Sequence, residues 1–164
     1  MSIATIHHLA VELPGRTFGN LESLLLLATR LWVSWEFLKS GWLKITSWQS
    51  TVFLFQNEYH VPVLPPYAAA VAGTAGELVF PVLLIVGLAG RLSALGLFAV
   101  NVMAVVSYAD VLLSEGFEAA VGQHYLWGLM LLVLAVFGPG KVSLDYQLGT
   151  TSPTRTAGLR AQPV

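Results

Sequence analysis

The chain contains no cysteine. That absence excludes disulfides, thiolate metal sites, iron–sulfur clusters and covalently attached c-type haem together. Charge is also scarce: 10% of the 164 residues are Asp, Glu, Lys or Arg, against about 25% in an ordinary soluble domain. A net charge of −1 leaves no basic surface for nucleic acid. No strand pattern is evident, so no glycine-rich phosphate loop or dinucleotide fingerprint follows one. No serine or cysteine nucleophile stands in a recognisable setting. Of the histidines, only His124 falls within a long apolar run, which removes a bis-histidine haem held inside one chain.

What is present is hydrophobic residues, 55% of the chain, gathered into long runs. The runs cover about Leu21–Trp42, Tyr67–Gly87, Leu92–Leu113 and Gln123–Phe137. Asn20 is read as the N-cap of the first. Between the first two runs, Thr46–Tyr59 carries Trp48, Val52, Phe53 and Phe55 among polar residues, a pattern suited to a helix lying on the membrane surface. Pro62, Pro65 and Pro66 then break any helix. Gly87–Arg91 reads as a turn, Ser114–Gly122 as an acidic loop and Gly138-Pro139-Gly140 as a stop. The expected fold is all-α: an integral membrane four-helix bundle with a short interfacial helix after the first span. Residues 1–20 form a cytoplasmic N-terminal segment that does not resemble a cleaved signal peptide. Residues 21–145 form the transmembrane domain, and 146–164, rich in Thr, Pro and Gly, a disordered cytoplasmic tail.

Four spans put both termini on one side. That side collects Arg16, Arg91, Lys141, Arg155 and Arg160, whereas Lys44 lies on the other among Glu58, Asp110, Glu115 and Glu118. The positive-inside rule therefore predicts cytoplasmic termini.

Arg30, Glu77 and Asn101 interrupt three different runs. Counted from the cytoplasmic end of each run, all three fall roughly 12–15 Å deep. Charge at that depth is costly unless it is paired, buried in protein or in use. Glu77 is the expected partner of Arg30. The small residues Gly73-Thr74-Ala75-Gly76 would let the first helix approach, and Pro81 would free the Glu77 carbonyl. A second layer, nearer the outer face, holds Glu36, Lys39, Tyr108, Asp110, Gln123 and His124. Glu36 and Lys39 are spaced to touch on one helix. Arg30, Phe37, Gly41 and Lys44 share another stripe, and His124, Gly128, Leu131 and Ala135 form an inward face. His124 reads first as a histidine donating to Glu36 or Tyr108, and second as a proton-handling or ligand-binding group. His60 and His124 are the remaining candidates for metal ligation, without a tight metal spacing. The candidate ligand-binding network is Arg30, Glu36, Glu77, Asn101, Tyr108 and His124; an ion pair that merely holds the bundle together is the competing reading of its deep pair.

Several segments resemble the DoxX family of small bacterial membrane proteins. They are Ala28-Thr29-Arg30-Leu31, Gly41-Trp42-Leu43-Lys44, Thr74-Ala75-Gly76-Glu77-Leu78, the run Leu83–Leu95, His124-Tyr125-Leu126-Trp127 and Phe137–Asp145. The resemblance spans roughly residues 21–145, in order and with sensible gaps. It implies a four-helix protein of the bacterial inner membrane, associated with quinone-linked oxidoreductases, oxidative-stress complexes or the maturation of copper-binding peptides. The stretch Asn57–Pro66 is similar to the last of these subgroups. A protein partner subunit and a quinone-like ligand follow as expectations of the resemblance. Many DoxX-like chains carry a histidine near the outer end of helix three; here Ser107-Tyr108-Ala109-Asp110 occupies that region, so its role does not carry over. Two functions follow: a redox-associated subunit binding a quinone-like or other small ligand, or a non-catalytic scaffold.

Overall fold

A computed structural model describes residues 3–149, with side chains from Asn20 onward. The predicted tail from Thr150 lies outside the described residues. Among the described residues, seven helices occur in chain order: α1 Ile3–Thr46, α2 Trp48–Asn57, α3 Pro66–Val86, α4 Gly90–Ser107, α5 Ala109–Leu112, α6 Glu118–Phe137 and α7 Leu144–Gln147. No strand occurs among the described residues. α3, α4 and α6 are long and apolar enough to cross a membrane. α1 completes the bundle, packing on α3 and α6, while α3 packs on α4 and α4 on α6. Leu26, Val33, Phe37, Leu84, Leu97 and Leu131 share the central core. Large apolar side chains such as Trp32, Trp35, Leu92, Leu129 and Phe137 are exposed around the outside. An all-α membrane bundle accounts for that inverted pattern, because lipid replaces water at the surface.

Local chemistry explains the bounds of α3. Pro66 sits at the first helical position, where its missing N–H costs nothing, and Gly87 ends the helix in the left-handed region at φ 70°. Gly87 and Leu88 then donate to the carbonyls of Leu84 and Leu83 at 3.2 and 3.0 Å, closing the helix end. Ala89 follows at φ 48°, unusual for a residue with a Cβ. Asp145 holds it there. Its carboxylate accepts from Ala89 N at 2.9 Å and Gly90 N at 2.7 Å, so a side chain 55 residues away caps the first turn of α4. Asp145 N in turn donates to Gly87 O at 2.9 Å. The segment after α6 is thus strapped across the α3–α4 turn.

Three boundaries differ from expectation. Asn20 is not an N-cap: it lies inside the 44-residue α1. Extending an existing helix avoids the cost of nucleation, so a cap-like residue need not start one. α6 begins at Glu118, within the expected acidic loop, because Glu118-Ala119-Ala120 are helix formers and a carboxylate favours a helix N-terminus. Residues 146–147 belong to α7, where Ser143 Oγ accepts from Tyr146 N at 3.2 Å, so order continues past the expected start of the tail. α2 occupies the interfacial position expected of it. Its Thr51 and Phe55 are buried, and Phe55 packs with Ala69 and Ala70 of α3, so one face is taken up by protein.

Candidate functional site

The deep charged pair is Lys44 with Glu77. Gly41 lets α1 come close to α3: a Cβ there would stand 2.9 Å from Leu78 and 3.1 Å from the Cβ of Glu77. Lys44, almost one turn further along, then reaches across. Its Nζ donates to Glu77 Oε1 at 2.5 Å and Oε2 at 2.6 Å, and to Ser40 Oγ at 3.0 Å. Both carboxylate oxygens and a hydroxyl thus surround the ammonium. Thr51 Oγ1 donates to the Lys44 carbonyl at 3.0 Å, tying α2 to the end of α1. Glu77 is about 16 Å from the Pro66 end of α3, close to its middle.

Arg30 does not meet Glu77. It is fully buried at the opposite end of the interface, where a Cβ on Gly87 would collide with its Nη1. Its Nη2 donates to Val142 O at 2.6 Å, and the Asp145 carboxylate supplies the nearby negative charge. Nε and Nη1 have no hydrogen-bond partner among the described residues. The depth count failed because it began at Leu21, whereas α1 continues beyond it and Arg30 is level with the α3–α4 turn. About eleven residues separate Arg30 from the Gly41 contact, so it lies on the order of 16 Å from Glu77's level. Lys44, expected in the outer loop, takes the place assigned to Arg30. Gly76, expected to admit α1, faces α4 instead: a Cβ there would lie 2.7 Å from Val100.

Asn101 is buried and tied to His124. Asn101 Nδ2 donates to the His124 carbonyl at 3.0 Å, which leaves its Oδ1 to accept from His124 Nδ1 at 2.9 Å. Glu36 and Tyr108, the expected partners, make no hydrogen bond to His124; Asn101 takes that place. The imidazole also meets the Trp127 ring edge-on, at a centroid distance of 5.1 Å. Gly128, one turn further along α6, leaves room for the Asn101 amide, 3.4 Å from where its Cβ would be.

These groups border a cavity of about 560 Å³ between the helices. Lys44 and Glu77 lie on one side, and Glu36, Tyr59, Tyr108 and His124 supply further polar groups. Phe37, Phe55, Phe80 and Trp127 make much of the apolar wall, with Met103 and Leu112. Tyr59 and Tyr108 stack edge to face at 5.1 Å. Burial foremost, then Tyr108, Glu77 and Glu58, raise the Tyr59 phenol above its ordinary range, so it keeps its proton. Glu36 bonds Lys39 at 2.8 Å, as the spacing predicts. Of the six candidate residues, Glu36, Glu77, Tyr108 and His124 border the cavity, Asn101 supports it through His124, and Arg30 is remote.

Asp110 and Gln123 are exposed and do not join the network; Lys39, also exposed, reaches it only through Glu36. His60 Nδ1 stands 3.9 Å from Asp110 Oδ2, with both side chains exposed. Among the described residues, no group of three or more His, Asp or Glu is gathered as a metal site. Sequence reasoning missed Lys44, Ser40 and Tyr59. The signal for Lys44 was its place on the stripe with Arg30, Phe37 and Gly41, which the structure bears out as a line facing the bundle.

A membrane bundle with a polar-studded internal cavity is the class that the fold and the site define. The DoxX family model matches residues 25–110, more than half of the 164-residue chain. An uncharacterized protein of Haemophilus influenzae is 30% identical over 143 residues, covering 84% of this chain and 91% of that protein. The chain belongs to the DoxX family. No solved structure matches it.

Proposed function

We propose that this protein is a redox-associated subunit that binds a quinone-like or other small amphiphilic ligand in the cavity, with a separate partner protein exchanging electrons with it. The supporting observation is the combination on one cavity of flat aromatic walls and a deep Lys44–Glu77 pair, with His124 and Tyr108 also on its border. Such sites bury an apolar ligand and orient it through a few polar groups. Mass analysis of lipids extracted with the purified protein is expected to find a quinone at close to one per chain. In membranes, Glu77→Gln or His124→Ala is expected to slow turnover-linked quinone reduction by roughly tenfold or more. No enriched quinone, together with unchanged rates at normal protein levels, rejects this reading. The scaffold reading, with a role in copper-peptide maturation or the oxidative-stress response, then gains: the Lys44 ammonium is already saturated by Glu77 and Ser40, as in a purely structural pair.

The proposed location is the bacterial inner membrane, with both termini cytoplasmic. Lys44 belongs to the bundle interior, so the connections 47–65 and 108–117 contain no Lys or Arg, while Arg91 and Lys141 lie at the other end. The absence of native cysteine makes the test simple. A single cysteine replacing Ser114 is expected to react with an impermeant maleimide from the periplasm, and one replacing Lys141 only after the membrane is opened. The reverse pattern inverts the topology.

A further inference from the structure

Taking the cavity as the ligand site proposed above, we propose that it selects a neutral amphiphile whose head donates a hydrogen bond, a phenol or hydroquinone, with His124 Nε2 as the acceptor. Asn101 sets this preference. Its amide is oriented by the bond from Nδ2 to the His124 carbonyl, so its Oδ1 can only accept. The partner at 2.9 Å, His124 Nδ1, must then carry the imidazole proton. Nε2 is left with a lone pair and no partner among the described residues, on a ring that borders the cavity.

Charge points the same way. The lining carries two carboxylates, Glu36 and Glu77, and one ammonium, Lys44; Lys39, which pairs with Glu36, is not part of the lining. Lys44 is already engaged, its charge balanced by the Glu77 carboxylate and its Nζ also bonded to Ser40. An anionic head such as a fatty-acid carboxylate would find both nearby cations already paired, Lys44 with Glu77 and Lys39 with Glu36, and no net positive charge to receive it. A hydroxyl head would meet the imidazole lone pair. Its apolar tail would lie along Phe80, Met103 and Leu112, which border the same space. Asn101 is a positioning residue here, acting through the imidazole.

The test compares 4-decylphenol with its methyl ether, which keeps the ring and tail but has no proton to donate, on protein in lipid nanodiscs corrected for empty discs. The phenol is expected to bind about tenfold more tightly, the worth of one well-placed hydrogen bond. In His124→Phe the ratio of phenol to ether affinity is expected to fall below twofold. Equal binding of phenol and ether to the wild type, tighter binding of decanoate, or a preference that survives His124→Phe overturns the proposal. A measurement on the wild type alone stands behind the variant. The ¹⁵N spectrum of His124, assigned through its contact with the Trp127 ring, is expected to show a protonated Nδ1 and a bare Nε2 in the neutral state. In Asn101→Leu that signature is expected to become a mixture of tautomers. The opposite tautomer in the wild type overturns the proposal. Phenol selectivity without any co-purified quinone rejects the redox reading and leaves the donor-head preference standing. Failure of both probes to bind rejects the cavity as a ligand site, and both with it.

Discussion

Lys44→Met is expected to destabilise the bundle by about 3–5 kcal/mol, because it leaves the Glu77 carboxylate buried without its cation. The Glu77 side chain is only 8% exposed and Lys44 21%, so water cannot easily take over the missing contacts. Glu77→Leu alone should cost a similar amount by stranding the ammonium. The double variant Lys44→Met/Glu77→Leu is the decisive member of the set. Removing both charges removes the desolvation cost of both, and an apolar pair of similar volume is expected to restore most of the lost stability. Reversible unfolding in mixed detergent micelles measures the three variants on one scale. Additive losses, with the double variant the least stable, would show that the two side chains do not act on each other. A ligand effect separates from this one, since the double variant should fold well and still show the slowed quinone reduction expected of Glu77→Gln.

Gly87→Ala carries the second large effect, expected at about 3 kcal/mol or more. A left-handed backbone at φ 70° alone costs an L residue roughly 1–2 kcal/mol. The added methyl group would also meet the Ser143 Cβ, in the strap that Asp145 fastens to α4, and the Arg30 guanidinium of α1, which donates to Val142 of that strap. Arg30 is fully buried, so it cannot swing into solvent to make room. Combining Gly87→Ala with Arg30→Met should recover the part that comes from collision with the guanidinium and leave the backbone part. A thermal unfolding midpoint within error of the wild type for Gly87→Ala would mean that the turn is not packed as described. The strap holds α1, α3 and α4 together at the end remote from the Lys44–Glu77 pair.

Much of the architecture was legible because its causes are local. Pro66 and Gly87 mark α3 to within a residue of the expected span, since each acts on its own backbone torsions. The inward face His124, Gly128, Leu131, Ala135 follows from helical periodicity, and Gly128 and Leu131 are indeed buried on it. Glu36 and Lys39 meet because three residues on a helix fix their separation. Glu77 and Asn101 were marked by cost, because polar groups in apolar runs need partners, and both have them. None of these inferences required knowing how one helix stands against another.

The identity of those partners did require it. Arg30 and Lys44 occupy the same stripe of α1, and periodicity alone offers either of them to Glu77. The choice depends on sliding α1 along α3, and two contacts set that register. Gly41 admits Leu78 and the base of Glu77, while Arg30 is caught between Gly87 and the strap at Val142. Both involve residues far apart in the chain, the strap from beyond the last long helix. Likewise, an Asn at position 101 is visible in the string of letters, but the tautomer it imposes on His124 exists only once α4 and α6 are side by side. Helices and their buried faces come from short-range torsional and solvation preferences. Which polar groups meet comes from axial register, and long-range packing decides that.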